Sequence, residues 1–245
     1  MKRIIGMMVL AVALMVPSVS FAEGDQIGVY VAPKFVYGYT MMNSVKGVGL
    51  GAGDPEPTTY RVGSKDDNVF GGSLAIGYDF DKRFRVPIRT ELEYSIFSEA
   101  EAKRNYSYGE FFPDEDLTRR QTFRIQTLFL NAYWDINTGT QFTPYVGAGI
   151  GAAFIKTEGN SSGSNPIEGS WDMDFGSKTV TNFAWNVGAG LGYDITNNWT
   201  VDLGYRFVGL GSVKTATYHE GGEWIRMKSS GLYQHQVSLG IRYTF

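Results

Sequence analysis

The chain has 245 residues, with 31 glycines, 15% aromatic and 19% charged residues, no cysteine, two histidines and a formal net charge of -3. This composition excludes a disulfide framework, a thiolate metal centre, a cysteine nucleophile and a histidine-rich metal site. It also argues against a nucleic-acid binder, which presents a basic face.

The N-terminus reads as an export signal over residues 1–22. Lys2 and Arg3 precede an apolar run, Ile4 to Val16, and Ser20-Phe21-Ala22 supplies small residues for cleavage after Ala22. The apolar run is too short to cross a bilayer of ~30 Å as a helix. The expected mature domain is 23–245. Without Lys2 and Arg3 it holds 20 basic against 25 acidic residues, a net charge of -5. An exported chain with no second apolar helix is either soluble or crosses a membrane as a barrel, which hides its hydrophobicity in alternation.

Period-two alternation then occurs eight times, at 28–39, 69–80, 86–98, 123–135, 142–154, 182–195, 199–210 and 232–245. The third segment is the sharpest: Ile88, Leu92, Tyr94 and Ile96 alternate with Arg89, Glu91, Glu93 and Ser95. The fourth is less clean. The fifth and sixth alternate apolar residues with runs of glycine, as in GAGIG (147–151) and GAGLG (188–192). Joining segments alternate in length. Asp81-Lys82-Arg83, Ile136–Thr140 and Thr196-Asn197-Asn198 are tight turns. The other four connections are long polar stretches of roughly twenty to thirty residues, uncommon inside a compact soluble domain. The last of these is read as a hairpin, with 214–219 and 223–228 flanking Glu220-Gly221-Gly222.

These signs predict an all-β protein: an eight-stranded antiparallel up-and-down transmembrane barrel with four long extracellular loops. A hairpin hidden in a loop would make ten strands. The apolar parity then faces lipid, with aromatics near both rims. The other parity faces a lumen so narrow that small residues must make room for large ones. Its charges come in both signs: Lys34, Arg89, Arg206 and Arg242 against Asp79, Glu91, Glu93, Asp194 and Asp202. Buried charges need partners, so a lumenal charge network is expected.

The segments YVAPKFVYGY, GGSLAIGYDF, FTPYVGAGIGAAF, NVGAGLGYDI and the terminal VSLGIRYTF carry a resemblance to a known group. The mature chain resembles the small outer-membrane β-barrel superfamily of opacity adhesins, the membrane domain of outer membrane protein A and porin-family relatives. The resemblance implies a place in the cell outer membrane, among outer-membrane lipid and lipopolysaccharide. It also implies that Val237, Leu239, Ile241, Tyr243 and Phe245 form an assembly signal read by the barrel-insertion machinery.

Signals of chemistry are weak. The two GAGxG runs continue in strand alternation with no helix behind them, so they are not dinucleotide loops. His235, with Ser229, Ser230 and Glu223 nearby, lacks the histidine-tyrosine-serine-asparagine run of a barrel lipid A deacylase, and Glu91 with Glu93 reads as part of an ion network. No catalytic residue, cofactor, metal site or nucleic-acid partner is expected. In the loops, Tyr106, Tyr108, Phe111 and Phe112 are candidate contacts for a host or surface ligand, because tyrosine anchors binding at low entropic cost. The expected function is a non-enzymatic surface protein, envelope-structural or adhesin-like. A narrow channel for ions or small solutes is the alternative, and a lipid-modifying enzyme is a third.

Overall fold

The computed structural model describes residues 27–50, 56–107, 116–165, 169–214, 218–220 and 223–245. They form β1 (Val29–Leu50), β2 (Thr58–Asp79), β3 (Ile88–Phe97), β4 (Ala100–Ser107), β5 (Asp116–Asp135), β6 (Phe142–Asn165), β7 (Gly169–Asp194), β8 (Trp199–Lys214), β9 (Tyr218–Glu220) and β10 (Glu223–Thr244). A short helix, α1 (Phe80–Phe84), joins β2 to β3. The sheet runs β1-β2-β3-β5-β6-β7-β8-β10, and β10 pairs with β1, so the barrel closes. All pairings are antiparallel. The ten strand segments make an eight-stranded wall, because β4 continues β3 beyond Ser98 and Glu99, and β9 prolongs β8 as a short hairpin arm on β10.

The register fixes the dimensions. Direct partners traced once around from Val31 are Ile76, Leu92, Leu130, Ile150, Trp185, Gly209 and Tyr233. The path returns to β1 at Met41, ten residues from its start. Eight strands with this stagger tilt by about 40° around a backbone radius of roughly 8 Å.

Each parity finds the predicted side. In β3, Arg89, Glu91, Glu93 and Ser95 are buried, whereas Ile88, Leu92, Tyr94 and Ile96 are exposed outward. In β10, Val237, Leu239 and Ile241 face out while Gln236, Arg242 and Thr244 are buried. The exposed apolar ring is a lipid-facing band, and aromatic pairs line its lower rim: Phe142 with Tyr193, and Trp199 with Tyr243.

Two expectations about connections change. Asp81-Lys82-Arg83 is not a bare turn but part of α1. Asp79 caps it by accepting from the Asp81 amide, and Arg85 ends it in the left-handed region at φ 57°. The four long loops are also largely replaced by strand. β6 runs 24 residues and β7 runs 26, with only residues 166–168 between them. A tilted membrane strand needs only about 9–11 residues, so the hydrogen-bonded wall continues far past the lipid band. Polar side chains hid this, because nothing outside the membrane requires an apolar face. The predicted last hairpin appears as β9 on β10, with Glu220 opposite Glu223. Its turn, 221–222, lies outside the described residues, as do 1–26 with the expected cleavage site at Ala22.

Candidate functional site

The lumen is filled in two layers of different chemistry. The lower layer, toward the short turns, is ionic. Lys34 Nζ lies 2.6 Å from both Glu91 Oε1 and Glu93 Oε2. Arg206 Nη2 donates to Glu93 Oε1 at 2.7 Å, and its Nε donates to Gln236 Oε1 at 2.6 Å. Tyr133 donates to Glu91 Oε1 at 2.7 Å, Tyr30 to Glu91 Oε2 at 3.2 Å, and Asn131 to Glu91 Oε1 at 3.3 Å. Below this, Arg89 pairs with Asp135 at 2.5 Å, and Arg242 Nε stands 3.4 Å from Asp202. The Arg89 guanidinium also lies against the rings of Tyr133 and Tyr145, and that of Arg242 against Tyr30. Ions taken from water need such dense partnering to offset desolvation.

Of the nine lumenal residues singled out in the sequence, seven make opposite-charge pairs: Lys34, Arg89, Glu91, Glu93, Asp202, Arg206 and Arg242. Asp79 instead caps α1, and Asp194 accepts from Thr200 at 2.6 Å at the rim. Sequence reasoning missed Asp135, which it read only as the end of a strand. It also left out Tyr30, Tyr133 and Asn131, though all three share the lumenal parity.

Glycine makes the ionic layer possible. A Cβ on Gly147 would collide with the Tyr133 ring, and one on Gly77 would collide with the Tyr30 ring. Each glycine opens the wall so that a tyrosine on the next strand can lie flat across it and reach Glu91.

The upper layer is mainly apolar, crossed by one polar run in which Gln236 donates to Gln234 and Gln234 donates to Thr40. Val36, Val69, Phe129, Ile155, Val208 and Leu210 belong to one continuous buried cluster in the upper lumen. Arg206 joins the layers, its guanidinium 5.5 Å from the centre of the Phe129 ring. This layer was not foreseen. Its signal was the unclean fourth segment, where Phe123, Ile125 and Phe129 share the inward parity while Leu128 and Leu130 share the outward one. A strand apolar on both faces is buried on one and lipid-bathed on the other.

The open space left in the ionic layer is a cavity of about 40 Å³ bounded by Lys34, Arg89, Glu93, Tyr145, Asp202 and Arg242 among others. It has room for roughly three water molecules. Asp202 Oδ1 and Arg242 Nη1, on two of the lining residues, are buried without a hydrogen-bond partner among the described residues.

On the outer wall, His235 Nδ1 lies 2.7 Å from the Tyr205 hydroxyl, and its ring packs 5.1 Å from Phe207. Val237, Leu239, Ile241 and Tyr243 lie along the outward side of β10, and the Phe245 amide donates to Val29 O at 2.9 Å across the closing seam. Tyr106 sits in β4 in register with Leu117. Tyr108, Phe111 and Phe112 lie outside the described residues. Above the lipid band, Lys156 donates to Glu158 and holds its carboxyl below the usual carboxylate range. Among the described residues no group of three or more His, Asp or Glu is arranged to hold a metal.

This closed barrel, with a lipid-facing apolar band and a filled lumen, is the architecture of a small outer-membrane protein. The chain belongs to the outer membrane protein beta-barrel domain family, whose family model matches residues 8–245. It is 34% identical over 179 residues to outer membrane protein PagN of Salmonella typhimurium, covering 72% of this chain and 73% of that protein. It is 29% identical over 139 residues to opacity protein opA66 of Neisseria gonorrhoeae, covering 49% and 52%. Among solved structures it is similar to Neisserial surface protein A, with 18% identity, coverage of 89% and 97%, and a TM-score of 0.45. The protein therefore resides in the cell outer membrane, with its wall in contact with lipid.

Proposed function

We propose that this protein is a non-enzymatic surface protein of the outer membrane, adhesive or envelope-structural, that works through the parts of its wall and loops outside the lipid. One observation carries the reading. The lumen holds a buried apolar cluster above a paired ionic layer, while the strands extend well beyond the membrane. A path through the barrel would have to cross both layers, so the interior serves stability and the exterior is left for function. Kinship with an opacity protein supports an adhesive role. Residues 1–22 are the export signal, and the outward side chains of β10 with Phe245 are the element read by the insertion machinery.

The test is surface display of the full chain on a non-adherent host strain. Binding to cultured epithelial cells or immobilised matrix protein should rise with display. It should fall when residues 108–113 are replaced by a glycine-serine linker in a barrel that still folds. Binding that is unaffected by every loop replacement would remove the adhesive reading. The channel alternative requires a steady conductance from homogeneous protein, and the apolar layer argues against it.

A further inference from the structure

Two cations stand side by side where the lipid-facing wall ends. Arg124 on β5 is directly opposite Lys156 on β6. Their strand neighbours Phe123, Ile125, Ile155 and Thr157 are buried inside the barrel, so Arg124 and Lys156 face outward. Below Arg124 the outward positions of β5 are Gln126, Leu128, Leu130, Ala132 and finally Trp134 near the short turn. Ten residues of strand tilted by about 40° climb about 25 Å, the height of the apolar band of an outer-membrane barrel. One step lower, the Tyr94 hydroxyl donates to Gln126 Oε1 at 2.8 Å, which marks where polar groups begin. The two cations are therefore level with the lipid headgroups of the outer leaflet.

Like charges directly opposite each other destabilise a sheet. Two carboxylates offset them here in one network: Arg124 Nη2 and Nε lie 2.8 and 2.9 Å from Glu99 Oε1, Lys156 Nζ is 2.7 Å from Glu158 Oε1, and Arg124 Nη1 is 3.9 Å from the same Glu158 oxygen. These side chains are between 36% and 46% exposed, and exposed ion pairs contribute little. To bind, a phosphate must take the place of Glu99 on Arg124 and of Glu158 on Lys156. A guanidinium grips a phosphate with two parallel hydrogen bonds, and an adjacent ammonium adds a point charge.

We propose that Arg124 and Lys156 form a site for the phosphate of an anionic glycolipid headgroup in the outer leaflet. A soluble polyanion would meet the strand extensions first, whereas these two side chains point sideways at headgroup height. The assignment rests on the membrane placement and not on the adhesive reading, so each stands or falls separately.

The experiment compares the full refolded chain in nanodiscs containing lipopolysaccharide with its lipid A phosphates intact or enzymatically removed. Retained lipid is counted by native mass spectrometry. The unaltered chain should prefer the phosphorylated form, and R124Q/K156Q should lose roughly thirty-fold of that preference, the worth of two cations at an anionic surface. The charge-conserving R124K/K156R should keep most of it. Equal retention of both lipids by the unaltered chain overturns the proposal. So does a preference that survives R124Q/K156Q.

Discussion

Arg206 reaches across the full width of the lumen to Glu93, closing a 2.7 Å ion pair between β8 and β3. In an eight-stranded wall these strands lie four steps apart by either route, diametrically opposed. The pair is a strut between opposite walls, and Lys34 braces the same carboxylate from β1.

Cutting that strut should be costly. Glu93→Ala leaves Arg206 and Lys34 buried without their shared anion, and removing one partner of a buried pair typically costs about 3–5 kcal/mol. Urea unfolding in detergent micelles, followed by tryptophan fluorescence, should show the lower midpoint. An unchanged midpoint would mean that the network adds no net stability.

The two layers make an unusual prediction for conductance. Glu91→Gln with Glu93→Gln should not open the barrel, because Phe129, Val208 and Leu210 still block the lumen above. Planar-bilayer recordings of residues 23–245 should stay flat for the parent chain and for this double variant. Steady openings from either would restore the channel reading.

Gly147→Ala should act through Tyr133. The added methyl collides with that ring, and overpacking costs about 1–3 kcal/mol. A coupled Tyr133→Phe background, which has already lost the hydroxyl bond to Glu91, should show a smaller additional loss. Equal losses in both backgrounds would separate the glycine from the hydrogen bond.

Lipid A extracted after overexpression should have the same mass spectrum as that from cells without the protein. It should also be indifferent to His235→Ala, whose ring is held by Tyr205 and Phe207. A new lipid A species abolished by His235→Ala would establish an enzyme.

Phe245→Ala should slow insertion by purified assembly machinery in proteoliposomes several-fold while leaving spontaneous refolding in detergent unchanged. Parallel losses in both assays would assign Phe245 a purely structural role at the seam.

Much of the wall was legible because lipid and a packed lumen impose opposite demands on alternate residues. Arg89, Glu91 and Glu93 against Leu92 and Tyr94 could be sorted from text alone. The strand extensions were not legible, since water tolerates polar side chains on either face and 155–165 therefore reads like a loop. The pairing inside the lumen was partly legible: charges of both signs announced a network. Which carboxylate meets which cation depends on the ten-residue stagger, however, and no single strand encodes it. Asp135 escaped for that reason, lying at a strand end until the register set it beside Arg89.

The apolar layer beneath the extracellular rim separates two tasks that a larger pore combines. On the proposed reading the seal belongs to the wall, so the segments above it carry no duty to keep the envelope tight. They can be lengthened, exchanged or rewritten by selection, or by an engineer seeking a display scaffold, without making the cell leak.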